Sequence, residues 1–226
     1  MWKSIFTHLL QILHAIGGNT VQDLNNRYRQ VPSFGKGVIR RFTGNPSAMC
    51  KLAARDFEDL LQVMWWTGWY LANVAYHLTQ CALPVFEGLL HTQREDNLLK
   101  NLIFDLATWH AYAKLRLHTD TTLNHFKTVT STLGKSVRVF IKDVCSQYDT
   151  TKLPHEMAAR GRRQAALTKK PDTIGAPGRR LKSTRKEINL LTYKYHALGD
   201  YPDIIATFGT TDNTSTQTVR RFLKTI

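Results

Sequence analysis

The sequence predicts a mainly α-helical protein. It would comprise an irregular helical domain over residues 1–158, a disordered basic linker over 159–186, and a C-terminal helix and tail over 187–226. Three observations carry this expectation. Apolar residues recur at helical spacing in most of the chain, with no strand-like alternation of comparable length. Charge, glycine and proline gather in one stretch near residue 170. No repeat of solenoid or propeller length is visible.

The first element is an amphipathic helix. Trp2, Ile5, Phe6, Leu9, Leu10, Leu13 and Ile16 lie on one face, and Gly17 with Gly18 provides a left-handed stop. His8, Gln11 and His14 interrupt its apolar run, which argues against a secretory signal. Thr20 with Asp23 has the form of a capping box for a second short helix, which Pro32 closes. Residues 32–46 read as a loop. Its Gly35-Lys36-Gly37 lacks the spacing of a phosphate-binding loop and is read as a turn.

Asn45 before Pro46 is an N-cap followed by proline at the first helical position, and Met49, Leu52, Phe57, Leu60 and Leu61 mark the face that follows. From Leu60 to Phe86 no charged side chain occurs, and Trp65, Trp66, Trp69 and Tyr70 crowd one end. Length makes residues 60–86 a candidate membrane span. Asn73, His77, Thr79, Gln80 and Pro84, and flanks without a Lys/Arg excess, oppose it.

Asp96 to Leu117 is the clearest helix, with Leu99, Leu102, Ile103, Leu106, Trp109 and Leu117 on its apolar face. Asp120 is placed to cap the next helix, which runs to about Cys145 with Gly134 as a candidate kink. A shorter helix is expected over His155–Leu167, and another from Glu187 to Asp200 through Ile188, Leu191, Tyr195 and Leu198. The last residues, rich in Thr and Asp, show no period.

With 226 residues, 42% of them hydrophobic, the chain can bury a sizeable core. Cys50, Cys81 and Cys145 are widely separated, form no Cys-x-x-Cys clip and give no even count, so a reducing compartment is the default. The formal net charge of +14 is uneven. Arg160, Arg162, Arg163, Lys169, Lys170, Arg179, Arg180, Lys182, Arg185 and Lys186 face a single acid, Asp172, within one stretch. That stretch also contains Gly161, Pro171, Gly175, Pro177 and Gly178 and little to bury, which is the basis for reading it as a flexible linker. Its paired cations suit phosphate-backbone contact or nuclear import.

Candidate chemistry is otherwise thin. His110 and His118 are two helical turns apart, too far to share an ion without other ligands. Glu95, Asp96, Asp105 and Asp120 are read as caps or solvated faces, not as a magnesium cluster. Neither a catalytic residue nor a metal or cofactor site is expected.

Three runs carry a resemblance. They are Met1–Phe42, LAARDFEDLLQ from Leu52 with FDLATWHAYAKLRLHTDTTL from Phe104, and LLTYKYHALGDYPDIIATFGTTDNTSTQ from Leu190. Together they resemble the C-terminal region of a multi-copy protein family of mushroom-forming fungi that is similar to CACTA-like and Plavaka-like transposases. In longer relatives an acidic Asp-x-x-His-Glu-x-Glu-Leu-Gly stretch precedes the Trp-Lys that here is Trp2 and Lys3. This chain starts after it, so the resemblance carries no catalytic residue to any position here.

The chain departs from that family twice. Relatives read from DFEDLLQ directly into a CALPVFEGLL-like segment, whereas residues 63–80 stand between the two here. Val63 is encoded by a codon beginning GT, and Leu78-Thr79-Gln80 is encodable as a branch point and acceptor, so the insertion resembles an in-frame translated intron. After Gln217, relatives continue with a Gly-Glu-Leu-Glu-His-Arg type of run, which is replaced here by Thr218, Val219 and Arg220.

The resulting expectation is a non-catalytic, transposase-derived protein with weak, non-specific nucleic-acid binding and a nuclear location. A single-pass membrane protein anchored by residues 60–86 is the alternative. An active transposase is the third reading, disfavoured because no metal triad can be assembled.

Overall fold

The computed structural model describes residues 1–31, 42, 44–48, 60–61, 82–168 and 185–211, with the backbone alone over 164–168. Within these residues the chain is mainly helical and contains no strand. The helices are α1 (Trp2–Ile16), α2 (Thr20–Gln30), α3 (Ala82–Phe86), α4 (Gln93–Ala113), α5 (Asp120–Asp143), α6 (Pro154–Thr168), α7 (Tyr193–His196) and α8 (Tyr201–Phe208). Short 3-10 turns occupy Pro46–Ala48 and Cys145–Gln147. Among the described residues no helix is long and apolar enough to cross a membrane. Residues 62–81 of the candidate span, with Trp65, Trp66 and Trp69, lie outside the described residues.

α1 sits at the centre of the core because its apolar side chains wrap more than one face. Ile5, Phe6, Leu9, Ile12 and Leu13 are each essentially inaccessible. Phe6 meets Tyr28 of α2 edge-on at 6.3 Å and Phe86 of α3 at 6.1 Å, and Trp2 lies 5.5 Å from Phe6. Edge-to-face pairs of this kind add about 0.5–1.5 kcal/mol each to plain burial. Leu60 and Leu61 join the same cluster, beside Ala82, Val85 and Phe86.

The α1–α2 joint differs from the expected capping box. Asn19 is the N-cap of α2 and makes no side-chain cap, while Thr20 is already helical. The Thr20 hydroxyl instead donates to the carbonyls of Leu13 and Gly17, both at 2.9 Å, so it closes the end of α1. Gly17 and Gly18 take positive φ values of 79° and 60°, the left-handed turn their spacing predicts. α2 ends at Gln30, and Val31 is extended as a residue before proline should be.

α4 and α5 form an antiparallel pair. Trp109 Nε1 donates to Thr130 Oγ1 at 3.0 Å, Ser136 Oγ donates to Asp105 Oδ2 at 2.5 Å, and Arg94 pairs with Asp143 at 3.1 Å. Partner numbers rise along α5 as they fall along α4, which fixes the direction. α4 begins three residues before the expected start because Thr92 and Glu95 form a full capping box, and it stops at Ala113, leaving Leu117 exposed rather than on the apolar face. α5 is capped by Thr119 with Thr122 instead of by Asp120, and it passes through Gly134 without interruption.

The C-terminal segment departs most from expectation. Asn189 Oδ1 accepts from the Leu191 N–H at 2.8 Å, a local turn that competes with a helix from Glu187. Only Tyr193–His196 is helical there. The substantial helix is α8, where no period was read: Pro202 starts it, Gly209 at φ 83° ends it, and eight residues are too few to display a period. α8 docks through Tyr201, 4.9 Å from Trp109, and through Lys127–Asp203 at 3.0 Å.

The basic stretch is structured at both ends, unlike a linker flexible from residue 159. α6 extends to Thr168, and Lys186 N–H donates to the Thr150 carbonyl at 2.8 Å while the Thr150 hydroxyl donates back to the Lys186 carbonyl. Residues 169–184 lie outside the described residues.

Candidate nucleic-acid interface

α6 starts at Pro154, and its first turn is fixed from within: the Glu156 carboxylate accepts the Leu153 N–H at 3.0 Å. Leu153 is buried in the core and anchors this end of the helix. The helix then presents Arg160, Arg162 and Arg163 to a cleft of about 880 Å³. The facing wall is α1, through Lys3, Phe6, Thr7 and Leu10, and the turn at Pro46–Ser47 closes one side. Lys152, His155 and Lys186 also line it.

The cleft is strongly cationic. None of Lys152, Arg160, Arg162 and Arg163 forms an ion pair with a described residue. Partial desolvation first, and then the charges of Arg160 and Lys186, hold the Lys152 ammonium below its ordinary value, as expected where cations converge. Glu156 is the acidic residue lining the cleft, and its carboxylate is engaged: besides Leu153 it accepts from Gln11 Nε2 at 3.4 Å.

That contact fixes a second detail. Because Glu156 acts as acceptor, Gln11 donates its amide N–H, leaving its oxygen for His8 Nδ1 at 3.2 Å. His8 therefore donates from Nδ1, and its buried Nε2 has no partner. Burial, as the largest cause, holds the His8 pKa below its ordinary value of 6.5. His8 also borders a side cavity of about 350 Å³ that shares Lys3, Thr7, Glu156 and Lys186 with the main cleft.

Of the ten basic residues singled out in the sequence, Arg160, Arg162, Arg163 and Lys186 converge on the cleft. Arg185 stands beside them but is engaged, with Asp149 at 3.4 Å, Glu187 at 3.6 Å and the Ser146 carbonyl at 3.3 Å. Lys169, Lys170, Arg179, Arg180 and Lys182 lie outside the described residues. Sequence reasoning missed Lys3 and Lys152. Lys152 was detectable, since 152, 156, 160 and 163 follow helical spacing, whereas Lys3 belongs to another element and only the fold brings it in.

The carboxylates weighed as a metal cluster are dispersed. Glu95 accepts from Thr92 N–H at 3.0 Å and Tyr148 OH at 3.1 Å, Asp96 from Gly88 N–H at 2.7 Å, and Asp105 from Ser136. Among the described residues no group of three His, Cys, Asp or Glu side chains is placed to hold a metal ion. Comparison with protein families, with characterised proteins and with solved structures gives no match.

Proposed function

We propose that this protein is a non-catalytic, transposase-derived remnant that binds nucleic acid through its phosphates, without sequence preference, and that it acts in the nucleus. The observation that carries the reading is the convergence of Lys3, Lys152, Arg160, Arg162, Arg163 and Lys186 on one cleft whose carboxylate is engaged elsewhere. Arginines that form no ion pair with a described residue, each with several donors, suit phosphate oxygens. The descent rests on the three sequence runs from Met1, Leu52 and Leu190.

A salt titration tests it. Binding to unrelated sequences should be similar and should weaken steeply with salt, with a log–log slope of about −0.9 per phosphate neutralised on a duplex. Replacing Arg162, Arg163, Arg179 and Arg180 by Ala should flatten that slope and slow nuclear entry. Unchanged affinity, slope and localisation would defeat the proposal.

A further inference from the structure

A second cavity is lined by the start of α1, by α4, α7 and α8, and it shares no lining residue with the cationic cleft. It measures about 370 Å³, within the range of about 300–1,000 Å³ in which proteins enclose small molecules. Trp2, Leu106 and Trp109 are its buried lining residues. Leu198 and Tyr201, also in its lining, are half-buried, and Tyr193 is 80% exposed. A ligand therefore meets accessible apolar and aromatic surface there without opening the core. Such walls suit a flat apolar body of one or two rings, because aromatic side chains pair edge-on or offset with other rings.

The polar groups narrow the ligand further. The two indoles of the cavity differ: Trp109 Nε1 donates to Thr130 Oγ1 at 3.0 Å, whereas Trp2 is 6% exposed and its Nε1 is buried without a partner. A buried donor left unpaired costs free energy, which an acceptor supplied by a ligand recovers. Lys194 lines the same cavity and forms no ion pair with a described residue. None of the described lining side chains is acidic. A cation and an unpaired N–H, with no carboxylate beside them, are complementary to a ligand group that carries negative charge and only accepts hydrogen bonds.

We infer that this cavity binds a small aromatic carboxylate, its rings against Trp109, Leu198 and Tyr201 and its carboxylate held by the Lys194 ammonium and the Trp2 N–H. The inference goes beyond the nucleic-acid reading and does not rest on it, because the two sites have no residue in common.

The test uses the full chain and ligand-observed NMR titrations with three probes of similar size: 2-naphthoate, the neutral 2-naphthamide and the cationic 2-naphthylmethylammonium. 2-Naphthoate should bind with a Kd of about 1 mM or tighter, the strength expected of about 13 non-hydrogen atoms at ordinary ligand efficiency. The amide should bind roughly tenfold more weakly, and the ammonium should not bind. Lys194→Gln, at an exposed position, should weaken naphthoate about tenfold and bring it level with the amide. Trp2→Phe should weaken naphthoate and amide alike; where circular dichroism shows that variant misfolded, Lys194→Gln decides. Replacing Arg160 and Arg163 by Ala should leave naphthoate binding unchanged. Absence of naphthoate binding overturns the inference, as does amide or ammonium binding of equal strength. So does naphthoate binding that survives Lys194→Gln or that is lost with Arg160 and Arg163, since the carboxylate would then be held elsewhere.

Discussion

His8 shows how a single residue ties the cleft to the core. Its Nδ1–H is committed to Gln11, its Nε2 is buried without a partner, and protonation would add a charge that burial opposes. The folded-state pKa lies below the unfolded value of 6.5, so as pH falls the unfolded chain takes up this proton first. The stability contributed by neutral His8 is therefore full above 6.5 and is lost as pH falls from there through the folded value. His118, also lowered by desolvation, acts in the same sense. Urea midpoints measured between about pH 7.5 and 5.5 should fall with pH, and less steeply in His8→Leu. Parallel slopes in parent and variant would remove His8 from this account. Cys145 is a simpler case. Burial pushes its thiol up to about 12, so the reactive thiolate is scarce at neutral pH. Mass mapping after brief iodoacetamide treatment should find Cys145 unmodified in the native chain and modified in denaturant; rapid native labelling would contradict its burial.

At the scale of elements, the long helices were legible, and so was the glycine stop of α1, but most helix starts were not. α1, α4 and α5 declare themselves because each has enough turns to repeat its apolar face, and amphipathic burial outweighs local preference. The N-terminal caps of α2, α4 and α5 were misread by a residue or more because Thr and Asp compete for the same role in neighbouring positions. Thr20 and Asp23 have the spacing of a capping box, yet the Thr20 hydroxyl turns back to Leu13 and Gly17. Thr92 was overlooked, and it makes both halves of the box with Glu95. Thr92→Ala should therefore cost about 1 kcal/mol of stability, read as a shift in urea midpoint at unchanged m-value. A shift indistinguishable from zero would mean that water replaces the cap. α8 stayed hidden for the opposite reason: its boundaries, Pro202 and Gly209, were stronger signals than its two-turn interior.

At the scale of the whole molecule, four of the six cations of the candidate site, Arg160, Arg162, Arg163 and Lys186, were visible in advance, because clustered basic residues are a composition signal and need no fold to be seen. Lys3 was invisible, since its place opposite Arg160 depends on α1 packing through Phe6 and Leu9 into the core. The same core sets up a last prediction. Leu60 and Leu61 on one side of residues 62–81, and Ala82, Val85 and Phe86 on the other, are all buried in one cluster with Trp2 and Phe6. A membrane span would have to be accommodated between two segments already fixed in one apolar cluster, and its polar residues Asn73, His77, Thr79 and Gln80 would find no water in hydrocarbon. A selected soluble helix would show one polar stripe, which this sequence lacks. Removing residues 63–80 joins Gln62 to Cys81 and gives LLQCALPVFEGLL, a continuous apolar segment whose two ends already belong to the core. The shortened chain should be the more soluble and should unfold more cooperatively on heating, because it lacks the tryptophan-rich run and joins two segments that share one apolar cluster. Side-by-side calorimetry of the two chains, with sequencing of the transcript across codons 62 to 81, decides the matter. A mature transcript that retains the codons for 63–80, together with a full-length product that resists alkaline extraction from membranes, would establish the segment as an evolved part of the protein.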